Sequence, residues 1–239
     1  MDQKDEIEKT NRLFYNCRQT VAHYRNEDQL SNKEERAFRH IPATATILDL
    51  GCGTGRTTTH LYSRNYSVIG VDYAHAMTHS ASERLPDVPF CTADAKTLCF
   101  RDDSFDVVLF SFNGIDYIHP YSARLAALRE IWRVLKPDGL FIFSTHNNCF
   151  PRSRDGIRPF FKTLLKGKRE TIMQDDHYKW GRTTIRLTTP AIQVNELRDA
   201  GFRMKELVSR KRLMALKSYP LLGLLDDFCY YVCTPRNRS

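Results

Sequence analysis

Residues 47–61, ILDLGCGTGRTTTHL, run an apolar stretch straight into glycines at alternate positions, Gly51, Gly53 and Gly55. Glycines at the end of a strand let backbone approach a ligand closely, and the start of the next helix offers N–H groups to an anionic group. That is the chemistry of a nucleotide-like ligand. A dinucleotide fingerprint, G-x-G-x-x-G, begun at Gly51 requires glycine at 56, where this chain has Arg56. The spacing is G-x-G-x-G. Asp49 precedes the loop, Asp72 ends the next apolar run, SVIGVD, and Asp94 ends PFCTAD. A carboxylate at the position of Asp72 can accept hydrogen bonds from a ribose diol, and one at Asp94 can meet an adenine amino group. The same residues also allow a plainer reading, in which the glycines shape a tight turn and the acids cap helices.

Positioning these groups requires strands that deliver each loop to one edge of a sheet. The runs TILDL, SVIGVD, PFCTAD, DVVLFSF and LFIFST alternate with helical patterns, which predicts βαβ units in a parallel sheet. Leu125, Leu128, Ile131, Trp132 and Leu135 mark one helix face before the stop and turn at KPDG. Ile7, Phe14, Cys17, Val21 and Tyr24 recur at mostly three- and four-residue steps, predicting one amphipathic N-terminal helix that packs on the domain, with a membrane surface as the alternative that its mixed-charge polar face disfavours. A helix capped by Thr189, opened by Pro190 and stopped at Gly201 precedes two strands, FRMKELVSRKR and DFCYYVCTP, expected to form an antiparallel edge.

A chain of 239 residues with 41% hydrophobic and 27% charged residues suits a single globular domain. The expected division is an N-terminal helical segment (1–39), a ligand-binding core (40–148), an insertion (149–187) and a C-terminal helix with strands (188–239). The opening residues are charged with both signs and no apolar run approaches the roughly 20 residues of a membrane span, so a cytoplasmic protein is expected. Seven cysteines form no C-x-x-C pair, and they read as reduced core thiols with no metal implied. Residues 150–186 hold 10 basic and 4 acidic residues against 17 and 19 in residues 1–149, so the positive charge belongs to the back half.

In ILDLGCGTG, VIGVD, TAD, FDVVLFSFNGIDYI and ALREIWRVLKPDGLFIFST the chain resembles the class I S-adenosylmethionine-dependent methyltransferases, over about residues 40–148. The resemblance is to the type 11 and type 25 domains of that family. It implies an α/β fold: a Rossmann-like, mostly parallel seven-stranded sheet with helices on both faces, an antiparallel last strand, an N-terminal helix and an insertion after the fifth strand. It also implies an enzyme whose cofactor is S-adenosyl-L-methionine. Gly51, Gly53 and Gly55, with Asp49 and Cys52 beside them, would meet its methionine part. Asp72 would hold the ribose, Asp94 and Ala95 would frame the adenine, and Tyr73 and Met77 would pack against either. Ser111, Phe112 and Asn113 follow the fourth strand at the same edge, and Tyr24 resembles a tyrosine that closes over the cofactor, with core packing as the alternative. Where the family usually has Pro-Gly-Gly, this chain has Pro137, Asp138 and Gly139.

Methyl transfer from a sulfonium is an in-line displacement that needs alignment and exclusion of water. A hydroxyl acceptor also needs a base, for which the candidates are His119 and His146, with Asp116 and Tyr117 behind them. Each histidine could instead hold loop backbone, and Asn113 and Asn147 could orient a substrate or cap turns. The expected acceptor is the oxygen or nitrogen of a small molecule such as a sugar, metabolite, natural-product intermediate or lipid head group. Phe150, Phe160, Phe161, Tyr178 and Trp180, interleaved with Arg152, Arg154, Arg158, Lys162, Lys166, Lys168 and Arg169, would suit an anionic acceptor or form a solvated basic face. The same mixture and a pI near 9.2 keep an RNA acceptor as the rival. A non-catalytic cofactor-binding scaffold is a second alternative, and a nicotinamide oxidoreductase a third.

Overall fold

The computed structural model describes residues 3–147, 172–209 and 226–236. Its main sheet has the order β3-β2-β1-β4-β5-β9-β8, built from β1 (Thr46–Leu50), β2 (Ser67–Asp72), β3 (Phe90–Thr92), β4 (Phe105–Phe110), β5 (Leu135–His146), β8 (Phe202–Val208) and β9 (Phe228–Pro235). Strands β1 to β5 pair in parallel, and β9 runs antiparallel to both of its neighbours. The seven-stranded, mostly parallel architecture expected from the sequence is therefore present. The pair expected as an antiparallel edge is split in place: β8 is the edge strand and β9 lies inside the sheet.

Strands buried on both faces read as continuous apolar runs, and the cores show why. Leu48, Phe141 and Phe143 pack with Leu128 and Ile131 of α6 (Tyr121–Val134) and Leu197 of α7 (Pro190–Asp199). Their neighbours in sequence, Ile47 and Ile142, pack with Phe38 of α3 (Asn32–Phe38) and Leu61 of α4 (Arg56–Tyr62). Helices thus cover both faces. Helix α5 (His75–Arg84) follows β2 and packs on β2 and β3. The α7 boundaries are as expected, with Thr189 Oγ1 accepting from Ile192 N and Gly201 at φ +87°.

Two expectations change. The N-terminal stripe is not one helix but two, α1 (Gln3–Tyr15) and α2 (Arg18–Arg25), separated where Cys17 is extended. Asn16 explains the break: its Nδ2 donates to the Arg12 carbonyl and its Oδ1 accepts from Ala76 N, so its side chain ends α1 and pins that end to α5. No loop follows α6 at KPDG either. Leu135 already pairs with Phe105, the next pair is Val107 with Leu140, and residues 136–139 form a bulge within β5.

The described part of the expected insertion is a separate antiparallel hairpin, β6 (Ile172–Tyr178) and β7 (Gly181–Leu187). It packs on α1, where buried Asn11 donates to Thr184 O and accepts from Thr183 Oγ1 and Thr184 N. The candidate residues Phe150, Phe160 and Phe161 and the basic series Arg152 to Arg169 lie outside the described residues. No helix among the described residues is long and apolar enough to cross a membrane.

Candidate functional site

At the carboxyl ends of β1, β2 and β4 lies a cleft of about 1260 Å³, counted out to its mouth. Glycines shape its floor. Gly51 has φ +66°, and a side chain there would place Cβ 2.6 Å from the Phe110 ring. Gly53 has φ +55° and no atom within 4 Å of where a Cβ would stand, so its missing side chain is open cleft. Between them, Cys52 N donates to Val71 O at 3.0 Å, and burial pushes its thiol well up, which keeps it neutral. Gly55 caps α4 and faces Ala81 rather than the cleft.

Asp72 holds this floor and faces the same space. Its Oδ2 accepts from Gly53 N at 2.9 Å and its Oδ1 from Ala74 N at 2.8 Å; burial raises its carboxyl above the ordinary range against the pull of those N–H groups. Each carboxylate oxygen has a second lone pair for a ligand hydroxyl. Met77, Ala95 and Tyr73 form an apolar wall nearby, and Asp94 Oδ1 accepts from Lys96 N at 2.8 Å. Asp49 does not reach the cleft. It is 1% exposed, accepts from Thr58 Oγ1 at 2.6 Å, and burial pushes its carboxyl up to about 7.

Sequence reasoning passed over the contribution of α1. Glu8, Asn11, Arg12 and Tyr15 all line the cleft. Glu8 accepts from Tyr73 Oη at 2.9 Å and from Lys96 Nζ at 3.2 Å, and these partners hold its carboxyl below the ordinary range despite partial burial. The signal was present as a polar stripe at three- and four-residue steps, beside the apolar one. Tyr24, Tyr15 and Tyr117 form one aromatic group, with ring centroids 5.9 Å apart and tilted for Tyr15 and Tyr24, and 5.2 Å apart and edge-to-face for Tyr15 and Tyr117.

The loop after β4 carries two left-handed non-glycine residues in succession, Phe112 (φ +55°) and Asn113 (φ +62°). Such conformations cost roughly 1–3 kcal/mol each and persist where surroundings enforce them. Here Asn113 N donates to Ser144 Oγ at 2.8 Å, and the half-exposed Phe112 ring lies between Tyr24 and the Arg56 guanidinium, which is 4.8 Å from its centroid. Arg56 is itself buried and paired with Glu34 at 2.5 Å. Ser111 and Phe112 line the cleft; Asn113 lies behind it.

The two histidines separate. His119 lines the cleft, and its Nε2 donates to Thr184 O at 3.3 Å, leaving Nδ1 as the bare nitrogen. Burial pushes it down to about 4, so the ring is neutral near pH 7. His146 does not line the cleft. Its Nδ1 donates to fully buried Asp116 at 2.9 Å, its Nε2 accepts from Asn113 Nδ2 at 3.3 Å, and Asp116 also accepts from His146 N and Thr145 Oγ1. The structure brings together Gly51, Cys52, Gly53, Asp72, Tyr73, Met77, Asp94, Ala95, Ser111, Phe112, Tyr24 and His119. Asp49, Gly55, Asn113, Asp116 and His146 stand outside that set.

The cleft fits a nucleoside bearing an amino-acid tail: a carboxylate for a diol, an apolar wall for a base, and open backbone where Gly53 lacks a side chain. Gly53→Val is expected to lower affinity for S-adenosylhomocysteine at least 10-fold while unfolding shifts by only about 1–2 kcal/mol from φ strain. Calorimetry and thermal melts check both; unchanged affinity would remove Gly53 from the site.

Residues 47–139 match a family model described as a methyltransferase domain. A demethylmenaquinone methyltransferase of Beutenbergia cavernae is 36% identical over 102 residues, 41% of this chain and 41% of that protein. One of Corynebacterium efficiens is 31% identical over 152 residues, 64% of this chain and 60% of its own. The chain spans about half the length of the curated relatives that it matches. A solved S-adenosylmethionine-dependent methyltransferase from Methanosarcina mazei shares the fold with a TM-score of 0.67 at 18% identity, over 87% of this chain and 98% of that one.

Proposed function

We propose that the protein transfers a methyl group from S-adenosylmethionine to an oxygen or nitrogen of a small-molecule acceptor, in keeping with the match of residues 47–139 to a methyltransferase-domain model. The observation that carries this is the pairing of Asp72 with Gly53 N at the floor of an open cleft. When bound, S-adenosylmethionine supplies an electrophilic methyl carbon on a positively charged sulfur. Asp72 would accept the ribose hydroxyls, Asp94 would meet the adenine edge, and the open backbone at Gly53 would receive the methionine part. An acceptor oxygen or nitrogen held in line with that carbon would take the methyl group and give up its proton, leaving S-adenosylhomocysteine.

His119 is the protein group best placed to orient that acceptor, because its bare Nδ1 can accept the acceptor's O–H or N–H. A ring pushed down to about 4 is a weak base, so its role is orientation of the acceptor. Asp116 and His146 act as positioning residues: they fix the loop that carries Phe112 and Asn113. The acceptor named for the Beutenbergia cavernae relative is a small molecule, which supports that class over RNA. The six described cysteines are free thiols, which suits a reducing compartment such as the cytoplasm.

The test is calorimetry with S-adenosylhomocysteine followed by a labelled-methyl assay on fractionated cell extract. Binding at one site per chain and label in the metabolite fraction are expected, and His119→Ala should lower transfer about 10-fold, the worth of one lost hydrogen bond, without changing cofactor affinity. Label in RNA would replace the acceptor class. Binding of a nicotinamide dinucleotide in place of S-adenosylhomocysteine would overturn the reading.

A further inference from the structure

A second cavity opens on the other side of His119, and that ring lines both spaces. Its walls come from α1 (Glu6, Ile7, Thr10), the start of α6 (Pro120, Tyr121), and the β6–β7 hairpin (Met173, Asp175, Thr184). Two of the large apolar side chains that the described residues leave exposed, Tyr121 at 44% and Met173 at 41%, meet here. A thioether, an aromatic ring and the aliphatic surfaces of Ile7 and Pro120 suit a flat apolar body. The two arginines at the cavity are already engaged, Arg124 with Glu196 at 2.7 Å and Arg182 with Asp175 at 3.7 Å. With Glu6 also at the wall, an anion entering here would face two carboxylates. At the inner end stands His119, whose Nε2–H is spent on Thr184 O, which leaves Nδ1 as its hydrogen-free nitrogen.

We propose that this second cavity is the acceptor subsite, and that it takes an uncharged aromatic molecule whose hydroxyl or amine hydrogen is directed to Nδ1 of His119. The site rests on the reading of the first cleft as the cofactor site, and it departs from the anionic acceptor that the basic run in residues 150–169 suggests. Its two ends do separate work: Tyr121 and Met173 select the ring, while His119 turns the donor group toward the first cleft.

Methionine methyl groups report on the two spaces independently, since Met77 lines the first and Met173 the second. The full chain, carbon-13 labelled at its methionine methyls, is titrated with S-adenosylhomocysteine and then with 2-naphthol, the resonances being assigned with Met77→Leu and Met173→Leu. S-adenosylhomocysteine is expected to shift Met77. 2-Naphthol is expected to shift Met173 saturably, with affinity at least 10-fold weaker in Tyr121→Ser, and 2-naphthoate, its anionic counterpart, at least 10-fold weaker than 2-naphthol. A 2-naphthol titration that moves neither methionine, or Met77 alone, overturns the subsite, and naphthoate binding as tightly as naphthol overturns its charge preference. If Met173 responds and S-adenosylhomocysteine leaves Met77 unmoved, the aromatic subsite stands and the cofactor reading falls.

Discussion

Asp72→Ala is expected to weaken S-adenosylhomocysteine binding by about 100-fold, a larger loss than any other single change in the cleft. Hydrogen bonds to a charged group are worth about 1.5–3 kcal/mol each, and a ribose diol offers two. The carboxylate also accepts from Gly53 N and Ala74 N, so its removal frees the glycine floor as well as the sugar. Asp72→Asn separates the two effects, because one oxygen remains to hold backbone and one hydroxyl partner is lost. Calorimetry should rank the affinities as wild type, Asn, then Ala, with circular dichroism showing folded protein in all three. An Ala variant that binds within threefold of wild type would place the ribose elsewhere.

Glu196→Ala should be the most destabilising single change, by about 3–5 kcal/mol, the usual cost of stripping the partner from a buried charge. Glu196 Oε1 accepts from Arg124 Nη2 at 2.7 Å and from Arg186 Nη2 at 2.6 Å, while Oε2 accepts from Arg124 Nε at 3.1 Å. Both guanidiniums are buried, Arg186 completely. Burial, then the neighbouring Arg124 charge, already pull Arg186 down to about 10 even with the carboxylate present. Without it two cations share a dry site between α6, α7 and β7. In a domain of this size each kcal/mol moves the melting temperature by about 2–4 °C, so a fall of roughly 10 °C is expected. Replacing all three residues with methionine should cost less than the single change. A melt displaced by under 2 °C for Glu196→Ala would mean the arginines find other partners.

The sequence made the parallel half of the sheet legible because its strands are buried on both faces: TILDL and SVIGVD are the observed β1 and β2 to the residue. The glycine loop and Asp72 could be read for the same reason that they pack as they do, since backbone approach and a strand-end acid are fixed by local geometry. What could not be read depends on contacts distant in the chain. Asn16 ends α1 through a bond to Ala76, and Asn11 ties α1 to Thr184 across 173 positions. The stripe of Glu8, Arg12 and Tyr15 gains meaning only once α1 is known to flank the cleft. His119 and His146 looked equivalent as histidines at strand ends. Their difference comes from Thr184 and Asp116, partners that no spacing rule predicts.

The place of β9 between β5 and β8 has a consequence for the chain as it is made. Synthesis runs from the N-terminus, so β5 leaves the ribosome with its outer edge unpaired, and α7 and β8 follow with no strand to join, since β8 pairs with β9. Until residues 228–235 emerge, the nascent protein carries an open β5 edge flanked by Phe141 and Phe143, the kind of surface that chaperones hold and that neighbouring chains on a polysome can capture. The parallel half can form during translation, but closing the sheet waits for its last described strand.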